Sequence, residues 1–321
     1  MAVIKDLNIL PRIRDSLSYL YTDHCRIDQE AKAVAIQNAD GKTPVPCADL
    51  STLMLGPGTT ITHAAVKTLT ENGCLIIWSG EEGVRTYAQG MGETRSSKNL
   101  LKQAELWADT DSRLEVVYRM YQMRFKEPLP SSLTIQQIRG MEGIRVRELY
   151  AQASLETGVT WNGRSYKRGG WNATDPINRA LSAANSCLYG ICHSAVLSAG
   201  YSPALGFMHT GKMLSFVYDV ADLYKADLSI PTAFQVVSES TSNVDARIRK
   251  ACRDTFHRER LLQRIVPDIH HVLGQTKKGL DLSPSVDRDA SIPGELWDPV
   301  EGELEGGTNR GDDFLISEQP W

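Results

Sequence analysis

The chain has 321 residues, 41% of them hydrophobic, with 35 Lys and Arg against 39 Asp and Glu. These ordinary globular values exclude a wholly disordered, collagen-like or coiled-coil chain and leave room for one large or two ordinary cored domains. The charge is unevenly placed: residues 1–90 hold 8 basic and 10 acidic side chains, residues 91–280 hold 25 and 18, and residues 281–321 hold 2 and 11.

In chain order, β-branched residues and period-2 patterning predict strands over the first ~90 residues. His24 to Val45 reads as strand–turn–strand about Asp40-Gly41, a hairpin signal. Ser51 to Leu55 reads as a strand stopped by Gly56-Pro57-Gly58, with a short helix from about Thr62 to Leu69. Cys74 to Trp78 and Val84 to Ala88 flank Gly80-Glu81-Glu82-Gly83 as a second hairpin. From about Arg95 the period becomes helical. Asp111 to Phe125 aligns Leu114, Val117, Tyr118 and Tyr121, and Leu133 to Ala153 aligns Ile135, Ile138, Val146 and Leu149. Ile177 to Ala199, rich in small residues and poor in charge, reads as a buried central helix. Ser215 is a candidate N-cap for a helix to about Ala226, and Ile230-Pro231 is expected to interrupt the chain. Asp245 to Leu273 adds further helix. The fold class is therefore α+β: a small N-terminal β-rich domain (1–92), a larger all-helical domain (93–279) and an acidic disordered tail (280–321).

No apolar run approaches the roughly 18 residues of a membrane span, so no membrane partner is expected. Lys5, Asp6, Arg12 and Arg14 interrupt the first residues and argue against a signal peptide. The six cysteines form no CxxC pair and read as reduced thiols of a cytoplasmic protein. A basic centre of which 16 of 25 cations are arginine suits a phosphate-rich partner; self-solvation of a helical domain would look the same.

Gly206 to Lys212 matches the GxxxxGK of a phosphate loop, but Met213 replaces the Mg²⁺-binding hydroxyl and no strand precedes it, so the match is accidental. Asp219 and Asp222, three apart on a helix, share a face, and His209 lies ten residues before Asp219. Two oxygen donors and an imidazole would suit Mg²⁺ or Mn²⁺; the alternative is a solvated polar stripe of Ser215, Asp219 and Asp222. Glu142 lies between Gly140 and Gly143, each costing a helix about 1 kcal/mol. Either a backbone or phosphate chain approaches there, or Glu142 pairs with Arg145 over tight helix packing. Trp161 to Arg168 interleaves aromatics and cations, which fits base stacking or a structural turn equally. Cys187 and Cys192 read as core, and His270-His271 as a surface pair.

Together, GPGTTITHAAV (56–66), GEEGVRTYAQG (80–90), RGMEGIRVR (139–147), TWNGRSY (160–166), SCLYG (186–190), GFMHTGKMLSFVYDVADLYK (206–225) and ACRD (251–254) resemble the CRISPR-associated endonuclease–integrase of spacer acquisition, in its type I-E form. The resemblance covers about residues 1–275. It implies that Glu142, His209 and Asp222 are ligands of Mg²⁺ or Mn²⁺, with Asp219 a catalytic neighbour. It further implies that Arg85, Arg139, Tyr189, Lys212, Lys225, Arg249 and His63 contact DNA or support the site. Thr60 stands where some relatives carry Arg. The implied reaction joins the 3′-hydroxyl of a short protospacer duplex to a CRISPR repeat by transesterification, in the cytoplasm of a prokaryote. The implied partners are a second copy of the chain and a small ferredoxin-like subunit bridging two dimers. A stand-alone nuclease of branched DNA and a non-catalytic DNA-binding scaffold are the rival readings.

Overall fold

Two four-stranded sheets enclose a single short helix at the N-terminal end of the computed structural model, which describes residues 19–31, 33–39, 41–47, 50, 52–80, 86–91, 97–164, 175–274, 296–299 and 302–304. The strands are β1 (Tyr19–Thr22), β2 (Arg26–Glu30), β3 (Ala33–Asn38), β4 (Gly41–Val45), β5 (Thr52–Leu55), β6 (Thr60–Ile61), β7 (Leu75–Ser79) and β8 (Thr86–Gly90), with α1 (His63–Glu71) between β6 and β7. One sheet runs β4-β3-β2-β6 and the other β1-β5-β7-β8. β3 pairs antiparallel with β4, and β7 with β8, as expected of the two hairpins. The stretch expected as a single strand before Asp40-Gly41 folds into two, β2 and β3, paired antiparallel.

The apolar run of β7 follows from burial on both faces. Leu53, Leu55 and Ile76 join Ile27, Val34, Ala65 and Leu69 between the two sheets. Their neighbours Met54, Leu75 and Ile77 face the other way and pack on Leu197. With side chains alternating across a strand, β5 and β7, shared by two cores, have no polar face, whereas the edge strand β8 is largely exposed.

The helical part comprises α2 (Lys98–Ala108), α3 (Thr110–Gln122), α4 (Ile135–Thr157), α5 (Pro176–Ser198), α6 (Ser215–Ala221), α7 (Ile230–Glu239), α8 (Val244–Arg258) and α9 (Leu261–Val272). α5 is the central helix, with Leu181, Ala184, Leu188, Cys192 and Ala195 wholly buried. Both Cys187 and Cys192 are buried core thiols. On α3 the buried stripe is Val116, Val117, Met120 and Tyr121, while Leu114 is 51% exposed, so the face is rotated from the expected one. α4 starts in a capping box, Thr134 Oγ1 accepting from Gln137 N–H and Gln137 Oε1 from Thr134 N–H. It ends where Gly158 turns left-handed at φ 68°. No break occurs at Ile230-Pro231: a π-helical turn over Lys225–Ser229 runs directly into α7. Pro231 occupies the first turn of α7, directly after the change from π-helical to α-helical turns. Of the pair expected at the surface, His271 is exposed and His270 is half-buried. Its ring packs edge-on to Tyr201 at 6.0 Å, with Nε2 buried and unpartnered. Within the acidic segment expected to be disordered, Leu296–Asp298 and Gly302–Leu304 pair as an antiparallel ribbon, β9 and β10. Among the described residues no helix is long and apolar enough to cross a membrane.

Candidate active site

Asp219 lies inside α6 with 0% of its surface exposed, and four donors surround its carboxylate. Oδ2 accepts the backbone N–H of Phe207 (2.6 Å) and of Met208 (3.0 Å). Oδ1 accepts the N–H of His209 (2.9 Å) and stands 2.7 Å from that residue's ring Nδ1. The amides of the GxxxxGK stretch therefore do cradle an anion, and it is the chain's own carboxylate. Gly206 allows the wrap: a Cβ there would come within 2.4 Å of His209 O and 2.7 Å of the Ser215 backbone. Ser215 Oγ then bonds both the N–H and the carbonyl of Lys212. With Ser215 and Asp219 both buried, the solvated-stripe reading of these residues fails.

The hydrogen bond to Asp219 raises the pKa of His209 against the opposing effect of burial, and the charges of Asp219 and Asp222 add to the rise. With Nδ1 engaged, Nε2 is the nitrogen left for a ligand, and the His209 side chain is 45% exposed.

Asp222 caps α6 and faces Glu142 of α4 across Arg124, which follows α3. The guanidinium is 5% exposed; Nη1 lies 3.6 Å from Glu142 Oε1 and Nη2 lies 3.8 Å from Asp222 Oδ2. Arg145 grips Glu142 with two bonds, Nε–Oε2 at 2.7 Å and Nη2–Oε1 at 2.9 Å, as the α4 spacing allows. The other half of that alternative is not seen. Among the described residues a Cβ at Gly140 or Gly143 would meet nothing within 4 Å, so no described helix packs over them. Lys225 Nζ stands 2.5 Å from Asp222 Oδ1 and 5.0 Å above the Tyr189 ring. Tyr189 meets Tyr218 edge-on at 5.0 Å, and Tyr218 meets His209 at 5.9 Å. Tyr121, whose phenol is pushed up by burial, lies within the fields of Arg124, Arg139, Glu142 and Asp222 together.

The fold thus gathers Glu142, His209, Asp219, Asp222, Lys225 and Tyr189, with Arg139 beside them and Lys212 exposed on the His209 loop. Arg249 is half-buried on α8, His63 is exposed at the start of α1, and Arg85 lies outside the described residues. Trp161 stacks on Tyr150 (4.4 Å, 11°) and meets Phe234 edge-on, which makes it a packing residue; Tyr166 to Arg168 lie outside the described residues. Arg124 and Tyr218 carry no local sign in the sequence of their part in the site.

Among the described residues no three Asp, Glu, His or Cys side chains are close enough to form a ready metal cage. The donor chemistry nevertheless fits a hard divalent ion. Two carboxylates converge, and the imidazole is oriented by a carboxylate on its other nitrogen, as ligating histidines usually are. Asp222 Oδ1 is buried without a hydrogen bond of good geometry, and so is Arg124 Nε.

The family model described as "CRISPR associated protein Cas1" matches residues 18–127 and 120–251. A CRISPR-associated endonuclease Cas1 of Thermus thermophilus is 53% identical over 312 residues, 96% of this chain and 94% of that one. Its counterpart in Escherichia coli is 44% identical over 268 residues, covering 83% and 88%. The solved TtCas1–DNA complex superposes with a TM-score of 0.77 at 54% identity, covering 82% of this chain and 99% of that one. By sequence, family model and fold, the chain belongs to the CRISPR-associated Cas1 family.

Proposed function

We propose that this chain is a DNA endonuclease and spacer-acquisition integrase of the type I-E kind. In this reading it joins the 3′-hydroxyl of a short protospacer duplex to the edge of a CRISPR repeat. The observation that carries the reading is the convergence of Glu142 and Asp222 on the buried Arg124, beside an imidazole fixed by Asp219. Family membership and the DNA held by the TtCas1 relative support it.

Glu142, Asp222 and His209 Nε2 would hold Mg²⁺ or Mn²⁺. When bound, such an ion polarises a phosphoryl oxygen and stabilises the oxygens entering and leaving in line. The chain's own groups do the rest. Asp219 sets the ring plane and tautomer of His209. Arg124 and Arg145 hold the Glu142 carboxylate in place, and Lys225 and Arg124 hold Asp222. Arg139 and Lys212, exposed beside the cluster, would meet the DNA backbone, with further contacts proposed for Arg85, Arg249 and His63. One phosphodiester is broken as one is made, so no nucleotide cofactor is needed. If water takes the place of the DNA hydroxyl, the same site hydrolyses. Acting on both strands of a repeat needs two such sites, hence a homodimer through the β-rich domain and a small ferredoxin-like subunit bridging two dimers.

The test combines the protein with a labelled short duplex and a repeat-bearing plasmid in Mg²⁺ or Mn²⁺, with and without the small subunit. Label transferred covalently to plasmid, and lost in His209→Ala and Asp222→Ala, is the expected result. Shortened fragments alone would favour the stand-alone nuclease, and no product under any condition would leave the scaffold reading.

A further inference from the structure

α2 carries Asn99, Gln103 and Trp107 at intervals of four, on one face of the helix. All three donate to main-chain carbonyls of one segment. Asn99 Nδ2 reaches Ala199 O at 2.8 Å, Gln103 Nε2 reaches Ser202 O and Leu205 O at 3.0 Å each, and Trp107 Nε1 reaches Gly206 O at 3.0 Å. Gln103 Oε1 also accepts Ser202 N–H at 2.8 Å. Arg113 of α3 continues the row, with Nε and Nη2 on Phe207 O at 3.2 and 3.0 Å.

Burial alone does not require this. Gln103 is 0% exposed, and an apolar residue would fill the same space without a desolvated amide needing three partners. What the polar face achieves is geometric. Carbonyls of 199–207 are held from the α2 side, while the amides of 207, 208 and 209 are held by Asp219 on α6. The segment is strung between two helices, and His209 is the residue at its end.

We propose that Asn99, Gln103 and Trp107, together with Arg113, are positioning residues for His209, acting through the carbonyls of residues 199–207. The proposal rests on the reading of His209 as a site residue. A histidine on a loop without such a rail would sample positions an ångström apart, and displacement of that size at a reacting centre lowers rates by up to about 100-fold.

Trp107→Phe removes one N–H and keeps a ring; Gln103→Met keeps length and removes three hydrogen bonds. On the full chain, amide hydrogen exchange at 207–209 should accelerate about tenfold in either variant, with the amides of α5 unchanged. Cleavage of a labelled duplex in Mn²⁺, at saturating DNA, should slow about tenfold while the Kd for that duplex stays the same. Unchanged exchange at 207–209 in Trp107→Phe would overturn the proposal, as would a faster-exchanging loop with undiminished cleavage. If Gln103→Met fails to fold, Trp107→Phe alone decides. A wild-type protein that cleaves nothing would refute the nuclease reading, while the exchange data would still show whether α2 holds the loop.

Discussion

One oxygen of Asp219 fixes two parts of His209: Oδ1 lies 2.9 Å from its backbone nitrogen and 2.7 Å from its ring Nδ1. Asp219→Asn puts an NH₂ where one of these oxygens receives N–H groups, leaving buried donors facing a donor. The expected loss is about 1–3 kcal/mol of stability, read from urea midpoints. Strand cleavage should fall as far as in His209→Ala, although Asp219 is not itself assigned as a ligand.

Arg124 is the cation shared by Glu142 and Asp222. Replacing it with Met leaves two half-buried carboxylates without their common neighbour, and a loss of roughly 3 kcal/mol is expected. The same variant should gain more in Tm from added Mn²⁺ than the wild type does, because the ion then supplies the missing charge. Equal Tm shifts in both proteins would disprove a role for these carboxylates in holding the ion.

Gly140 and Gly143 face open space, so alanine fits at either position. Each Gly→Ala change should stabilise α4 by about 0.5–1 kcal/mol. If a phosphate chain passes beside Glu142, the double variant should at the same time bind duplex DNA more weakly, measured by fluorescence anisotropy across a salt series. A stabilised protein with unaltered DNA affinity would remove the phosphate path from this face.

Burial lowers the pKa of His193 and of His270 below the ordinary 6.5. The fold therefore favours their neutral forms, and the unfolded chain takes up protons first as pH falls. Their contribution to stability is complete above about 6.5 and is lost as pH falls through the depressed folded values. His270→Phe keeps a ring against Tyr201 and cannot titrate. Its urea midpoint should fall less steeply than that of the wild type between pH 7 and 5.5, and identical slopes would count against a neutral buried His270.

The elements legible in the sequence are those whose buried faces are apolar. α5 stood out because few charges lie on any side, and β7 because both its faces are covered. α2 has no legible apolar period because its inward face carries Asn99 and Gln103, which satisfy backbone groups instead of filling a core. The α3 stripe lies a fraction of a turn from the one its sequence predicts, because Leu114, a good core residue by type, is exposed while Met120 is buried. At the site, the Asp219–Asp222 spacing and the nearby His209 were visible locally, but their division of labour was not. Glu142 is marked locally by Gly140 and Gly143, which leave open whether it pairs with Arg145 or meets a phosphate; its part as a ligand is what the family resemblance implies. Arg124 joins α3 to α4 and α6 through space, across 18 and 98 positions of chain, and no spacing rule spans that interval.

The sheet β1-β5-β7-β8 gives Leu53 and Ile76 to one core and Met54, Leu75 and Ile77 to the other, and Thr52 bonds Ser198 of α5 across the seam at 2.5 Å. A fragment ending near residue 92 would present that second apolar face to water and invite self-association. The helical part expressed alone would lack the wall on which α5 rests, and α5 carries Tyr189. The two halves are consequently unsuitable as interchangeable modules. Exchanging one of them with a relative would require grafting the contact surface of α5 along with the strands.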